Sequence, residues 1–391
     1  MPDVQGVPEP GRTRKVGTAA AKNAAPPAVT ELQVRDRLVD WYRRGARDLP
    51  WRRSKDPYAV WVSEVMLQQT RVDVATPYYL RWMERFPTVQ ALGEADLEDV
   101  LRSWAGLGYY SRARNLHAAA QLMAARGGTL PGSAAGLREL PGIGDYTAGA
   151  IASIAFGERV PAVDGNVVRV LARLHAWPGS ASSPALKGKV RRAAARLVPG
   201  DAPGDWNQAL MDLGATICTP RDPHCDACPV AKQCQAEAKG IQERIPAPKR
   251  MAPPKVERRA FAVVRRQGCV LLVRNPPRGL LAGLWSLPGG LTERPLADLV
   301  LEQAGVAVRL GPAAAPARHQ FSHRTWEMAV HHAIPLSEAG VPAAETAWVA
   351  IEDLRGHALP AAMHCALAAA GVGTPVRYGR KPKRRQGSGP S

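Results

Sequence analysis

Four cysteines that follow one another closely could bind a metal centre. Cys218, Cys225, Cys228 and Cys234 have the spacing C-x6-C-x2-C-x5-C. Only six cysteines occur in 391 residues, and no secretory leader precedes them, so a disulfide framework is not favoured. Four thiolates suit an iron–sulfur cluster or a structural zinc ion. A single C-x2-C pair, rather than two separated pairs, favours the cluster.

A glutamate upstream of the cysteines could act in acid–base chemistry. Helical spacing places Glu64 on a mostly apolar face together with Val60, Trp61, Leu67 and Gln68. Burial on this face would raise the pKa of the carboxyl, which could then keep a proton near neutral pH and act as a general acid. A solvated glutamate on an amphipathic helix is the simpler interpretation of the local sequence.

A second carboxylate, Asp164, precedes an apolar helical pattern that begins near Val167. An aspartate in this position is expected to cap the helix, because its side chain can accept hydrogen bonds from the first free N–H groups. Such a cap holds the carboxylate in a fixed place.

The segment Leu-Pro-Gly-Ile-Gly-Asp-Tyr-Thr-Ala at 140–148 joins two helical patterns through Gly142 and Gly144. Both glycines are expected to allow positive φ and close approach of a ligand. The N–H groups that open the next helix could then bind a phosphate oxygen, as in a helix-hairpin-helix that holds a DNA backbone. An ordinary turn between helices is the alternative.

The charge balance favours a polyanionic partner. Lys and Arg total 52 against 34 Asp and Glu, a net charge of +18. Only part of this excess comes from the basic C-terminal residues Arg377, Arg380, Lys381, Lys383, Arg384 and Arg385. Nucleic acid is the expected partner, with a solvated basic surface as the alternative. The longest apolar stretch, near 148–156, is too short to span a bilayer, so no membrane association is expected.

Six segments are predicted along the chain. Residues 1–29 form a disordered tail, 30–217 a helical region that contains the hairpin, and 218–240 the cysteine loop. Residues 241–257 are rich in Pro and basic residues and form a linker. Residues 258–370 form an α+β domain, with strands at 259–264 and 269–273 joined by a hairpin at 266–268, a further strand-like run within 319–334, and a helix at 296–303. Residues 371–391 form a basic disordered tail.

Several motifs together resemble one family. The hairpin, the sequence V-D-G-N-V-x-R-V at 163–170 and the cysteine run are similar to the endonuclease III superfamily of DNA glycosylases. Within it, residues 61–70 (WVSEVMLQQT), 106–112 (GLGYYSR) and 207–214 (NQALMDLG) resemble the adenine DNA glycosylases. The resemblance covers residues 31–370. It implies a mainly helical glycosylase fold with one structural 4Fe-4S cluster held by the four cysteines.

The resemblance also implies a reaction. A monofunctional enzyme of base excision repair would hydrolyse the N-glycosidic bond of adenine mispaired with 8-oxoguanine or guanine in duplex DNA. Glu64 would protonate the adenine at N7, Asp164 would stabilise an oxocarbenium-like sugar, and Asn166 would position water or the sugar. Tyr146 stands where bifunctional relatives have a lysine, and its hydroxyl cannot form a Schiff base.

Further roles are implied for the opening of the duplex. A base must leave the helix to react, and Gln68, Gln69 and Tyr109 match the residues that fill the vacated stack. Their local sequence alone suggests a polar helix end and a core tyrosine. The positions that match the adenine pocket of the family are Trp51, Arg52, Leu67 and Gln208.

The C-terminal domain resembles a Nudix domain that has lost its catalytic motif. Residues 283–290 (GLWSLPGG) and 302–306 (EQAGV) are similar to the two ends of a Nudix box, but the segment between them is too short. Gln303 replaces a metal-binding glutamate, so metal-assisted pyrophosphate hydrolysis is not expected. Phe321, Ser322 and His323 match the family's loop that contacts 8-oxoguanine in the opposite strand.

The expected protein is a monomer located in the cytoplasm of a bacterium and associated with the nucleoid. Two alternatives stay open. An endonuclease III-like bifunctional enzyme for oxidised pyrimidines is disfavoured by Tyr146 and by the extra domain. A non-catalytic iron–sulfur module that binds DNA is disfavoured by the presence of Glu64 and Asp164.

Overall fold

The computed structural model describes residues 31–248 and 253–373. The predicted N-terminal tail, 1–29, lies outside these ranges, as do residues 249–252 of the predicted linker and most of the predicted C-terminal tail, 371–391.

The N-terminal part is helical. Its second helix begins at Pro57, where Asp56 accepts hydrogen bonds from the backbone N–H groups of Tyr58 and Ala59, an N-cap that stabilises the first turn. The helices are α1 (Glu31–Gly45), α2 (Pro57–Leu67), α3 (Val72–Arg85), α4 (Val89–Gly93), α5 (Leu97–Trp104), α6 (Ser111–Ala124), α7 (Ala134–Leu137), α8 (Asp145–Ala155), α9 (Gly165–Leu174), α10 (Pro184–Leu197), α11 (Pro203–Thr216) and α12 (Gln235–Ala238).

Two separate hydrophobic cores organise these helices into two lobes. The first lobe is built from α2–α8 around the fully buried Trp61, Trp82 and Trp104. The second lobe joins α1 to α9–α11 around Trp206. From α1 in the second lobe, the chain passes through the first lobe and returns to the second lobe at α9. Because α8 contacts both α2 and α11, the two lobes meet along this helix.

The C-terminal domain is an α+β unit whose strands are joined in the order β3-β2-β1-β7-β5, with β4 on β1, β6 on β7 and β8 on β2. The long β1 and β7 run parallel to each other, whereas the other pairs are antiparallel. The elements are β1 (Lys255–Arg266), β2 (Cys269–Arg274), β3 (Trp285–Ser286), β4 (Gly289–Leu291), α13 (Leu296–Ala304), β5 (Val306–Ala313), β6 (Ala317–Gln320), β7 (Arg324–Glu338), β8 (Thr346–Ala350) and α14 (Ala361–Ala369).

The hairpin predicted at 266–268 is confirmed. Gln267 and Gly268 both have positive φ, 47° and 80°, the backbone twist that two-residue hairpin loops favour. The strand-like run at 319–334 divides into β6 and β7, because Phe321 donates its N–H back to the carbonyl of Arg324 (2.8 Å) and closes a turn. Alternation of side chains does not reveal such a turn. Strand β1 begins inside the predicted linker, at Lys255.

The predicted fold class, a mainly helical part followed by an α+β Nudix-like domain, is confirmed. The C-terminal domain packs directly on the first helical lobe, since Leu284 and Ala358 are fully buried members of that lobe's core. In the described part of the chain, no helix combines the length and apolarity needed to cross a membrane.

Candidate active site

A cavity of about 930 Å³ lies at the junction of the two helical lobes. Glu64 reaches it from α2 in the first lobe, and Asp164 reaches it from the start of α9 in the second. The residues predicted for catalysis and for the adenine pocket all line it: Trp51, Arg52, Glu64, Leu67, Tyr146, Asp164, Asn166 and Gln208. Side chains that are far apart in sequence therefore share one chamber.

Glu64 is buried, with 7% of its surface exposed. Burial raises the pKa of its carboxyl to about 7, and the charge of Asp164 acts in the same direction. The Tyr146 hydroxyl opposes this shift, because it donates a hydrogen bond to Glu64 Oε2 (2.6 Å). The carboxyl therefore holds a proton in a useful fraction of molecules at neutral pH and is positioned to deliver it into the cavity.

Asp164 caps α9, as predicted. Its Oδ1 accepts from the Val167 N–H (2.8 Å) and its Oδ2 from Asn166 Nδ2 (2.8 Å). Burial raises the pKa of the Asp164 carboxyl, while the two hydrogen bonds act against that shift. The carboxyl held in this way lines the same cavity as Glu64. Such an arrangement can stabilise positive charge that develops between the two groups.

The backbone that leads to Asp164 is held by a fully buried amide. Asn207 on α11 donates to the carbonyl of Val160 (2.9 Å) and accepts from the N–H of Ala162 (3.0 Å). On the same helix, Gly214 lies against Asn166, whose Cβ would stand 2.5 Å from a Cβ added at the glycine. The motif at 207–214 thus fixes the start of α9, and with it the carboxylate.

Sequence reasoning missed Asp212, which also lines the cavity. Arg52 binds both of its oxygens, at 2.8 and 2.9 Å, and Arg47 binds it as well. Burial would raise the pKa of Asp212, but the two arginines outweigh burial and hold the pKa below its usual range. Its spacing from Gln208 was the available signal, since residues four apart on a helix share a face.

The three residues predicted to fill the vacated base stack lie together beside the active cavity. Gln68, Gln69 and Tyr109 line an adjoining recess of about 250 Å³, which Gly142 also borders. Gln69 and Tyr109 have left-handed backbones, with φ of 58° and 48°. Non-glycine residues seldom adopt this conformation, and when they do it is often at functional sites.

Arg112 maintains this arrangement from the buried side. Its guanidinium donates to the carbonyls of Val65, Met66 and Gln68 (2.7–2.9 Å) at the end of α2. It also donates to the carbonyl of Gly108 (3.2 Å), next to Tyr109. One cation therefore connects the helix that carries Glu64 to the turn that carries the tyrosine.

The glycines of the hairpin differ from each other. Gly142 has φ of +78°, and an added Cβ would stand 2.6 Å from the Asn115 Cβ, so only glycine fits. The prediction of positive φ is wrong for Gly144, whose φ is −92° because it adopts the extended conformation of an N-cap for α8. An added Cβ at Gly144 would meet nothing within 4 Å. The start of α8 is therefore open to an approaching anion.

The turn at 321–323 faces the first helical lobe. The hydroxyls of Ser322 and Tyr109 are hydrogen-bonded to each other across the domain boundary, and the two side chains line a cleft of about 400 Å³ between the domains. Phe321 packs edge-on against Trp326, with ring centroids 4.9 Å apart, and His323 is exposed. The residues predicted to contact 8-oxoguanine thus lie beside Tyr109, which is predicted to fill the vacated base stack.

In the Nudix-like domain, the side chain of Gln303 is used for structure. Its Nε2 donates to the carbonyl of Gly289 (3.0 Å), and its Oε1 accepts from the N–H of the same residue (2.9 Å). The amide that replaces a metal-binding glutamate therefore joins α13 to β4 through two hydrogen bonds to the backbone of Gly289.

The four cysteines lie in the loop after α11, beside the second lobe, and all are free thiols. Burial, together with the neighbouring Cys218 and Cys234, raises the pKa of Cys228 to about 12. The thiols are near one another, but within residues 31–248 and 253–373 no three His, Cys, Asp or Glu side chains converge closely enough to hold a metal ion. Arg173 donates to Cys218 Sγ (3.3 Å), a contact that suits a negatively charged thiolate centre.

Two family models match separate parts of the chain. The model of the HhH-GPD superfamily base excision DNA repair proteins matches residues 62–199, and that of the NUDIX domain matches residues 259–369. Fold and site thus define a helix-hairpin-helix protein of the base excision repair class that carries a Nudix-like domain.

Curated relatives define the family more narrowly than the two domain models do. The adenine DNA glycosylase of Arabidopsis thaliana is 43% identical over 296 residues, which cover 66% of this chain and 47% of the plant protein. That of Homo sapiens is 41% identical, covering 65% and 57%, and that of Rattus norvegicus is 36% identical, covering 84% and 76%. The chain thus spans about half the length of the first two. It belongs to the adenine DNA glycosylase family.

Proposed function

We propose that the chain is a monofunctional DNA glycosylase that releases adenine from mispairs in duplex DNA. The observation that carries this proposal is the pairing of a buried acid, Glu64, with an anchored carboxylate, Asp164, across one cavity. This pairing is the general arrangement for breaking glycosidic bonds. The family of the chain and its basic charge support a DNA substrate.

The proposed reaction begins after the adenosine has left the base stack and entered the cavity. Glu64 protonates the base at N7, so the electron pair of the breaking N-glycosidic bond passes to a cationic base, which departs as neutral adenine. Positive charge develops on the sugar and is stabilised by the carboxylate of Asp164, which Asn166 orients. Water then bonds to the sugar carbon and returns its proton to Glu64.

Adenine recognition is assigned to the polar end of the cavity. The paired Arg52 and Asp212 offer donors and an acceptor on one side, and Trp51, Leu67 and Gln208 complete the wall. A buried pair that already satisfies its charges can bind a neutral base through hydrogen bonds without leaving an isolated ion.

The opposite strand is assigned to the C-terminal domain. Ser322 and His323 would donate hydrogen bonds to 8-oxoguanine, with Phe321 packed behind them, and Tyr109 would stand between this base and the vacated stack. The partner is therefore double-stranded DNA with adenine opposite 8-oxoguanine or guanine. We also propose that the protein acts as a monomer in the bacterial cytoplasm, on nucleoid DNA.

The test uses duplex oligonucleotides that carry adenine opposite 8-oxoguanine, guanine or thymine, and one that carries an oxidised pyrimidine. The purified protein is expected to create alkali-labile sites only at adenine in the two mispairs. Strand breaks should need the alkali treatment, because the Tyr146 hydroxyl cannot form a Schiff base. Breaks without alkali, or release of the oxidised pyrimidine, would favour the endonuclease III-like alternative. Tight DNA binding without base release would favour the non-catalytic alternative.

We further propose that Cys218, Cys225, Cys228 and Cys234 hold one 4Fe-4S cluster with a structural role. The proposal is supported by four free thiols in one loop and by the Arg173 contact to sulfur. The four sulfurs would bind the cluster as thiolates, each thiol losing its proton, and the cluster would tie the loop to the second lobe.

The proposed cluster predicts the iron and sulfide content of the protein. Anaerobically purified protein is expected to contain about four iron and four sulfide ions per chain, measured by elemental analysis together with visible absorption. Serine in place of any of the four should lower the iron content, whereas C269S and C365S, in the other domain, should retain it. Stoichiometric zinc in place of iron would refute the cluster.

A further inference from the structure

A glutamate on the first helical lobe accepts two hydrogen bonds from the C-terminal domain. Glu98, in the first turn of α5, accepts from Arg274 Nη1 (2.5 Å) through Oε2 and from the Ala358 N–H (3.2 Å) through Oε1. The side chains of Glu98 and Arg274 are 27% and 25% exposed. Charged hydrogen bonds that are mostly screened from water are stronger than surface ion pairs.

The contact between Glu98, Arg274 and Ala358 is here called the Glu98 bridge. Its C-terminal side is held in place by further contacts. The guanidinium of Arg274 stacks over the Trp285 ring, 4.2 Å from its centroid, and pairs with Glu345 (2.9 Å) of its own domain. Ala358 is fully buried in the core of the first lobe. A pre-organised partner loses little conformational freedom when it binds Glu98.

On the helical side, the bridge is connected to Tyr109 through helix α5. Glu98 lies on α5, and at the end of that helix Trp104 donates its indole N–H to the carbonyl of Gly108 (3.0 Å), next to Tyr109. Tyr109 in turn bonds Ser322 in the 321–323 turn. A second contact, from Arg114 to the carbonyl of Ala282 (2.6 Å), lies on the same interface.

From these contacts we infer that Glu98 is a positioning residue for opposite-base specificity: it sets the distance between the 321–323 turn and Tyr109. This inference rests on the proposed adenine glycosylase function. Glu98 lines neither the active cavity nor the recess beside it, so its loss leaves the excision machinery intact. A shift of about 1 Å between two groups that must act together can lower a rate by up to about 100-fold.

The test compares single-turnover excision of adenine opposite 8-oxoguanine and opposite guanine. E98A is expected to slow the first reaction about tenfold and to leave the second nearly unchanged, so the ratio of the two rates falls. E98Q keeps an acceptor for Ala358 but loses the charge, and should fall between wild type and E98A. If E98A does not fold, E98Q carries the test.

The matched control is E302A, which removes an exposed carboxylate of the same domain whose partner, Arg294, takes no part in the Glu98 bridge. Its ratio is expected to equal that of the wild type. An unchanged ratio in E98A and E98Q would overturn the inference, and so would an equal loss in E302A, which would indicate general damage to the domain. A wild-type protein that releases no adenine from either duplex would instead contradict the proposed function.

Discussion

Replacing Glu64 with glutamine is expected to slow adenine release about 10²–10⁴-fold, the usual contribution of a general acid. Glutamine has nearly the same shape and can still accept the hydrogen bond from the Tyr146 hydroxyl. It has no acidic proton to deliver to the base. Since the side chain is buried at the junction of the two lobes, the substitution should leave the DNA-binding surface unaltered.

The measurement is single-turnover release of adenine from a duplex with adenine opposite 8-oxoguanine, together with a binding titration on the same duplex. Binding should remain within about threefold of the wild type, because one buried group contributes little to the salt-dependent phosphate contacts. Release at the wild-type rate would remove Glu64 from the mechanism. Loss of both binding and release would point to misfolding, which a thermal unfolding curve would reveal.

The pH dependence follows from the same carboxyl. Burial raises the pKa of Glu64 to about 7, and only the protonated form can act as the acid. The rate of the wild type should therefore fall as the pH rises through about 7. The Tyr146 hydroxyl lowers this pKa, so in Y146F the fall should move to higher pH. In E64Q this limb of the profile should vanish.

Replacing Asp164 with asparagine is expected to slow release about 10²–10³-fold, comparable to the loss of an electrostatic contact to a transition state. The substitution separates the two roles of this residue. Asparagine is as good an N-cap as aspartate, and its carbonyl oxygen can accept from the Val167 N–H. It carries no charge to stabilise the sugar cation.

The comparison with D164A makes the experiment decisive. Alanine removes both the charge and the cap, so D164A should be as inactive as D164N and about 1 kcal/mol less stable, as measured by denaturant unfolding. D164N should match the stability of the wild type. If D164N keeps wild-type activity while D164A loses it, Asp164 serves only as a cap and the proposed stabilisation of the cation is wrong.

The sequence predicted most elements that position the site. The cap at Asp164 and the hairpin at Gln267 and Gly268 are local features, determined by residues within a few positions of each other. The convergence of Glu64 and Asp164 is not local. It was expected from the resemblance of long motifs, and periodicity alone favoured a solvated glutamate.

What escaped prediction depends on contacts between distant segments. Helical spacing from Gln208 could have placed Asp212 on the cavity side of α11. Its pairing with Arg47 and Arg52, from the segment before α2, could not be inferred from the residues around it. The turn after β6 results from one backbone hydrogen bond at Phe321. The Glu98 bridge joins residues more than 170 positions apart, a separation at which single-sequence patterns carry no signal.

The division of the helical part into two lobes has a mechanical consequence. Glu64, which would hold the base, belongs to the core around Trp61, whereas Asp164, which would hold the sugar, belongs to the core around Trp206. The two groups that would act on one bond are therefore held by different cores. The Arg52–Asp212 pair also joins the two lobes and helps to fix the separation of these groups.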